Sequence, residues 1–343
     1  MRASVEASLL ASALGDIIGV AGRKNEITQC VRIAAKDNSL RLITTNYEIE
    51  AHAIVEAATQ DAGHACVNAR DLLFALKSIS GCVDLSLSPN GLSVSCGSAL
   101  SILPVRSEEF PRLQPPSDME EIIGGVEAFL TCCSTASKDP ARWHLGGVAF
   151  NGETAFGTDG KSARFCPVQG GAGRIIPAGA QAIISKLKGQ LFVSDRLWRL
   201  EQENRTVIGQ LLDAGVVDVE KLPHGLPLAW TCDATELRQA IEAASFGRAE
   251  YVVLSRSSCG ISVAGERFGG AHISATREVS ATGNGATIVC SVSSLLAVIK
   301  DVKGELHVHT NGSVVEFHAE NLRGLSMVIR DNRNTAPAEL EAA

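Results

Sequence analysis

The chain has 343 residues, 45% of them hydrophobic, 20% charged and 4% aromatic, and a formal net charge of −7. With 32 Gly, 11 Pro and a mean hydropathy of +0.12 it is neither collagen-like nor low-complexity, and no apolar run approaches the roughly 18 residues of a membrane span. The negative balance excludes a protein that holds nucleic acid by bulk positive charge, while leaving room for a local basic face.

In chain order, apolar residues at 5, 9, 10, 13, 14, 17 and 18 share one face of a helix expected over about 5–18. The stretch has a superficial likeness to a secretion signal, but Glu6 and Asp16 interrupt it, so a cytoplasmic protein with an intact N-terminal helix is expected. Strands follow at 28–34, 39–45 and 49–55, a helix over 68–77, and strands at 83–88, 92–95 and 100–103, with Pro89-Asn90-Gly91 as a hairpin turn. The order returns with a helix at 126–137, strands at 147–150, 154–157 and 162–168, a helix after Pro177, and strands at 191–193, 197–202 and 206–211. It returns again with a helix at 234–244, strands at 251–255, 260–263 and 272–275, a helix at 291–300, and strands at 305–310, 314–318 and 324–329.

The second helices of the first and third repeats align: Leu72-Leu73 with Leu295-Leu296, Leu76 with Ile299, Lys77 with Lys300. A period of about 110 residues is domain-sized, too long for a solenoid unit. Pro-rich breaks at 114–117 and 223–227 give domains over 1–115, 118–223 and 226–332, followed by a disordered Ala/Glu-rich tail at 333–343. The fold class is α+β, with the helices of each domain covering one face of its sheets.

Chemistry-bearing motifs are sparse. Gly160-Lys161-Ser162 has the ending of a phosphate-binding loop, but Ala155 stands where that loop needs glycine, and strand-like residues flank it on both sides. His307 and His309 share a strand face with no third metal ligand at a suitable spacing. Cys132-Cys133 could supply a thiol nucleophile with His144, yet nothing in the sequence orients it. The ten cysteines are scattered without a C-x-x-C pair and are expected to be free thiols. No enzyme activity, cofactor or metal is expected.

Several segments resemble the bacterial DNA polymerase III beta subunit, the sliding clamp. In the first repeat these are Gly22-Arg23-Lys24-Asn25, Thr44-Thr45-Asn46-Tyr47-Glu48-Ile49-Glu50 and Glu108-Glu109-Phe110-Pro111. In the second, Arg142-Trp143-His144-Leu145-Gly146-Gly147-Val148 and Gly157-Thr158-Asp159-Gly160-Lys161-Ser162-Ala163 are similar to that family's R-Y-x-L-N-G and A-T-D-G-H-R-L stretches. In the third, Ser293-Ser294-Leu295-Leu296 and Ser326-Met327-Val328-Ile329-Arg330 are similar to family segments, the latter to V-M-P-M-R with Val328 in place of its proline. The resemblance covers about 5–330, and order and spacing make it specific.

The resemblance implies three tandem clamp-type domains and a head-to-tail homodimer closed into a ring, helices inside and sheets outside. The ring would encircle duplex DNA without sequence preference and tether polymerase, clamp loader and repair proteins through short peptides. Inward cations would touch phosphates weakly enough to slide. The candidates are Arg23, Lys24, Arg70, Lys77, Arg142, Lys186, Lys188, Lys300 and Lys303. Glu6, Asp16, Asp71, Glu127, Asp233, Glu236 and Glu242 bring the helical stretches near neutrality. The peptide groove implied would use Leu145, Thr158, Gly160, Lys161, Ala163, Val217, Lys221, Ser313, Met327, Val328, Ile329 and Arg330. Leu100, Ile102 and Phe246 are the candidates for the dimer contact, where paired strand edges would hide each other. The alternative is a clamp-fold paralogue that binds proteins as a regulatory module without encircling DNA.

Overall fold

The computed structural model describes residues 1–114, 116–245, 249–267, 276–320 and 322–329. Phe246, Arg330, the strand expected at 272–275 and the tail at 333–343 lie outside the described residues.

One unit, a strand feeding a helix and then a three-stranded meander, recurs along the chain. The first is β1 (Arg2–Glu6), α1 (Ala7–Ile17), β2 (Cys30–Lys36), β3 (Ser39–Thr45) and β4 (Ile49–Glu56). After the short β5 (Ala58–Asp61) come β6 (Gly63–Asn68), α2 (Ala69–Lys77), β7 (Cys82–Ser88), β8 (Gly91–Cys96) and β9 (Ala99–Leu103). The third unit is β10 (Glu120–Ile122), α3 (Gly125–Cys132), β11 (Gly147–Thr158) and β12 (Ser162–Pro177), whose far end also leads into the fourth: α4 (Gln181–Leu187), β13 (Gln190–Val193), β14 (Leu197–Gln202) and β15 (Arg205–Gln210). The fifth is β16 (Leu228–Asp233), α5 (Ala234–Ala244), β17 (Tyr251–Ser257), β18 (Gly260–Glu266) and β19 (Thr276–Gly283). The sixth is β20 (Ile288–Ser291), α6 (Val292–Ile299), β21 (Glu305–Thr310), β22 (Val314–Ala319) and β23 (Leu322–Met327).

Neighbouring units exchange their leading strands. β1 pairs with β7 and β6 with β2; β10 pairs with β13 and the end of β12 with β11; β16 pairs with β21 and β20 with β17. These leading strands are the elements that the hydrophobic pattern leaves out. β1, β6, β16 and β20 are four to six residues long and run straight into a helix, whose 3.6-residue period masks the period of two. Thus α1 begins at Ala7 rather than near residue 5, because Ala3 and Val5 alternate inward along β1. Likewise α3 ends at Cys132, followed by a 3-10 turn at Cys133–Thr135.

Packing yields two compact bodies, Met1–Val126 with Gly179–Asp213, and Glu127–Ala178 with Ala214–Ala343. They follow strand pairing rather than the Pro-rich breaks. In the first body β15 pairs with β4, which makes β10-β13-β14-β15-β4-β3-β2-β6 one sheet beside the five-stranded β5-β1-β7-β8-β9. In the second, β12 pairs with β23, giving the ten-stranded β11-β12-β23-β22-β21-β16-β19-β18-β17-β20.

In the first body α1 packs on α2 and β4, burying Leu10, Leu14 and Ile17. In the second, Trp230, Leu237, Ile241, Val252, Leu295, Val298 and Phe317 belong to one core. Three helices start on a side chain that satisfies free amides: Asn68 accepts from the N–H groups of Arg70 and Asp71, Asp233 from Thr235 and Glu236, Ser291 from Ser294. Each such cap contributes about 1 kcal/mol.

Candidate functional site

The turn between β11 and β12 is closed by side-chain hydrogen bonds. Thr158 Oγ1 donates to the Ser162 carbonyl at 2.7 Å and accepts from the Gly160 N–H at 3.0 Å. Asp159 Oδ1 accepts from the N–H groups of Lys161 and Ser162 at 2.8 and 2.7 Å. Gly160 has φ +83°, and a Cβ there would meet Arg142 Nη1 at 3.0 Å and lie 3.9 Å from Leu145 Cδ1. Only glycine satisfies both demands. Gly160-Lys161-Ser162 is thus the end of a hairpin turn; no helix follows it to present amides to a phosphate.

The 3-10 segment Pro140–Leu145 packs beside this turn, started by Asp139, which accepts from the Ala141 N–H at 2.9 Å. Arg142 Nη1 donates to the Asp159 carbonyl at 2.7 Å. The chain leaving β23 closes the other side: Met327 N–H donates to the Lys161 carbonyl, Val328 N–H to Ser313 and Ile329 N–H to Val289, at 2.8, 3.0 and 2.7 Å. Ala163, buried on β12, pairs with Thr158 and Leu325 beneath.

The structure therefore brings Leu145, Thr158, Gly160, Lys161, Ser313, Met327 and Ile329 into one neighbourhood, with Ala163 and Val328 buried within it. Met327 is 53% exposed there while Val328 is buried, so the strand end offers a thioether side chain to solvent. Val217 and Lys221 lie in the segment before β16, where Lys221 is paired with Asp218 at 3.2 Å. Trp143, 54% exposed beside Arg142, belongs with this surface and was missing from the candidate residues. An aromatic residue between charged and polar neighbours in a turn was its signal.

Buried charge supports the surface from below. Burial lowers the Arg164 guanidinium's proton affinity, and its Nη1 donates to Ser134 Oγ at 3.0 Å; Ser134 Oγ in turn lies 3.0 Å from the Ala297 carbonyl of α6. Burial pushes the Glu316 carboxyl up, but hydrogen bonds from Arg323 and the Leu226 N–H outweigh it and hold the group below the usual carboxylate range. Arg323 also donates to the Pro223 carbonyl and covers the Phe165 ring at 4.8 Å.

The candidate DNA cations divide. Arg23 and Lys24 are exposed on the loop after α1, with no ion partner among the described residues. Arg70 and Lys77 lie exposed at opposite ends of α2, Lys188 in left-handed conformation at the end of α4, and Lys300 and Lys303 exposed after α6. Lys186 is committed: its Nζ is 3.4 Å from Asp16 and 2.6 Å from the Gly15 carbonyl, and Arg205 holds the same Asp16 at 3.1 Å. Arg142 braces the hairpin turn.

β9 is one of the two outer strands of the five-stranded sheet, and its Leu100 and Ile102 are 62% and 53% exposed. Phe74 on the adjacent α2 is 79% exposed. It lies off the face formed by Leu72, Ala75 and Leu76, a signal present in the helix pattern. Among the described residues no group of three His, Cys, Asp or Glu side chains could hold a metal. His307 instead pairs with Glu305 at 3.2 Å, and His309 hydrogen-bonds the Leu226 carbonyl at 2.8 Å. All ten cysteines are free, and Cys132 and Cys133 are buried. Burial pushes the Cys133 thiol up to about 11, which disfavours its thiolate form.

Residues 1–114 match the family model of the DNA polymerase III beta subunit, N-terminal domain. No curated protein matches the sequence. Among solved structures, the DNA polymerase sliding clamp of Caulobacter crescentus superposes with TM-score 0.84 at 20% identity, over 96% of this chain and 100% of that one. The sliding clamp of Bacillus subtilis gives 0.86 at 16% identity, over 96% and 99%. The beta clamp of Helicobacter pylori, solved with a DNA ligase peptide, gives 0.83 at 17% identity, over 96% and 100%. The chain has the sliding-clamp fold.

Proposed function

We propose that this protein is a DNA sliding clamp. Two copies join head to tail in a ring around duplex DNA, three clamp domains per copy (1–115, 118–223 and 226–332), and partners are tethered by short peptides. The observation that carries the reading is the sliding-clamp fold over 96% of the chain. A linked ring need not bind its DNA tightly, so a net charge of −7 is compatible with the role. No described helix is long and apolar enough to cross a membrane; action on DNA in the cytoplasm is part of the proposal.

The surface built from Leu145, Gly160, Lys161 and Met327 is the proposed peptide groove, and the clamp solved with a ligase peptide supports that use. An apolar strip beside a polar turn suits an extended peptide with one amide-bearing and several apolar side chains. Leu100, Ile102 and Phe74 are the proposed apolar contact of the dimer on the first body, with Phe246 its candidate counterpart.

The test is topological. With a clamp loader, the protein should stay on nicked circular DNA and leave once the circle is cut, and its mass in solution should be twice the 36.0 kDa of one chain. The engagement of Lys186 by Asp16 favours a second reading, a protein-binding module that does not encircle DNA. Retention that follows salt and ignores the cut would sink the clamp reading, and failure to be loaded on circular DNA would support that module.

A further inference from the structure

Three hairpins of this chain close with the same turn. In the β11–β12 turn, Thr158 and Asp159 make the bonds described above. In the β21–β22... turn at 310–314, Thr310 Oγ1 donates to the Val314 carbonyl at 2.8 Å and accepts from the Gly312 N–H at 3.0 Å, while Asn311 Oδ1 accepts from Ser313 and Val314 N–H at 3.0 Å each. In the β3–β4 turn, Thr45 Oγ1 donates to the Ile49 carbonyl at 3.0 Å and accepts from the Tyr47 N–H at 3.1 Å, while Asn46 Oδ1 accepts from Glu48 and Ile49 N–H at 3.0 and 2.7 Å. The central residue is Gly160 at φ +83°, Gly312 at φ +83°, and Tyr47 at φ +77°.

A bulky aromatic residue in that conformation is strained, and the same turn is made elsewhere in this chain with glycine. The Tyr47 ring does not recover the cost by burial, since it is 48% exposed. It is held: Asn25 Nδ2 donates to its hydroxyl at 3.1 Å, and the Gly22 N–H donates to the Thr45 carbonyl at 3.2 Å, tying the 22–29 loop to this turn. That loop carries the unpaired Arg23 and Lys24, and its carboxylate Glu26 is neutralised by Arg106 at 2.9 Å. A fixed aromatic face beside two free cations is the combination that takes an unstacked base with its phosphates.

We propose that Tyr47, Asn25, Arg23 and Lys24 form a contact for single-stranded DNA, Tyr47 stacking on a nucleobase while Arg23 and Lys24 meet the adjoining phosphates. From the clamp reading it takes only that DNA is the partner. Glu48, the exposed carboxylate next in the turn, opposes the phosphates, so Glu48→Gln should tighten binding.

The test uses the full chain and a fluorescent oligothymidylate carrying one 5-iodouracil. Irradiation should link the oligonucleotide to Tyr47. By anisotropy at low salt, Tyr47→Gly should bind roughly tenfold more weakly and Tyr47→Phe close to the parent, the range of one lost base stack. Because glycine is the residue the turn favours, Tyr47→Gly should melt no lower than the parent, which separates lost contact from lost fold. Unchanged affinity of Tyr47→Gly, or adducts only at other aromatic residues, overturns the proposal; a Tyr47→Gly defect confined to protein partners would do so too. Failure of the parent protein to stay on circular DNA would speak against the clamp and leave this result standing.

Discussion

Glu316 Oε1 accepts a 2.6 Å hydrogen bond from Arg323 Nε, and its Oε2 accepts from the Leu226 N–H at 3.3 Å. A buried carboxylate thereby fastens the segment that enters β16 to the β22–β23 hairpin. Glu50 does the same in the first body, taking Arg112 Nε at 3.1 Å and the Leu113 N–H at 2.9 Å, with His52 Nε2 2.6 Å away. Each glutamate is followed two residues on by a histidine on the same strand face, and each holds a stretch of chain that has no strand partner of its own.

Removing either carboxylate should therefore loosen the strapped segment and lower stability. Glu316→Ala leaves Arg323 half-buried without its anion, at a cost of roughly 2–4 kcal/mol. Hydrogen exchange should show Leu226 losing protection in Glu316→Ala, and Leu113 in Glu50→Ala, with each defect confined to its own body.

Acid should reveal the same two groups. Burial pushes both carboxyls up, but hydrogen bonds, from His52 and the Leu113 N–H on Glu50 and from Arg323 and the Leu226 N–H on Glu316, bring both below the ordinary value. The folded state thus binds these protons less readily than the unfolded chain. Their stabilisation is complete above the unfolded value of about 4.3 and disappears as pH falls through the lower folded values. Melting temperature should drop on acidification below about pH 5, and the Glu50→Gln, Glu316→Gln double variant should show a flatter profile.

Gly160 and Gly312 separate backbone strain from packing around the β11–β12 turn. Both have φ +83°, yet a Cβ at Gly160 meets Arg142 Nη1 at 3.0 Å whereas one at Gly312 meets nothing within 4 Å. Each Gly→Ala change should cost about 1 kcal/mol in the turn. Only Gly160→Ala should also push Arg142 off the Asp159 carbonyl and shift Trp143. Trp198 and Trp230 are fully buried, so long-wavelength tryptophan emission reports Trp143 and should move in Gly160→Ala alone.

The exposed edge of the first body should govern assembly without governing folding. Phe74, Leu100 and Ile102 are more than half exposed, so Phe74→Ala with Ile102→Glu removes little internal packing. Light scattering should fall to the mass of one chain, 36.0 kDa, with an unchanged melting curve at low concentration.

Thiol reactivity should follow burial. Cys82 and Cys259 are exposed and should alkylate first. Cys232 and Cys290, pushed by burial up to about 12, should stay unmodified until the protein unfolds. Mass spectrometry after brief iodoacetamide treatment distinguishes them.

The repeat of helices and meanders, the hairpin turn at Pro89-Asn90-Gly91 and the inward faces of α2, α5 and α6 were legible in the sequence, because hydrophobic period and turn chemistry are local. The leading strands β1, β6, β10, β16 and β20 were not legible, since a strand of three to six residues needs its partner to be a strand at all, and each finds that partner in the neighbouring unit. The same long-range pairing, β4 with β15 and β12 with β23, decided where the chain divides into compact bodies. Charge behaved likewise. Composition fixes how many cations there are, but only tertiary contact decided that the exposed Lys186 and Arg142 are tied to Asp16 and to the Asp159 carbonyl while Arg23 and Lys24 remain free beside a strained Tyr47.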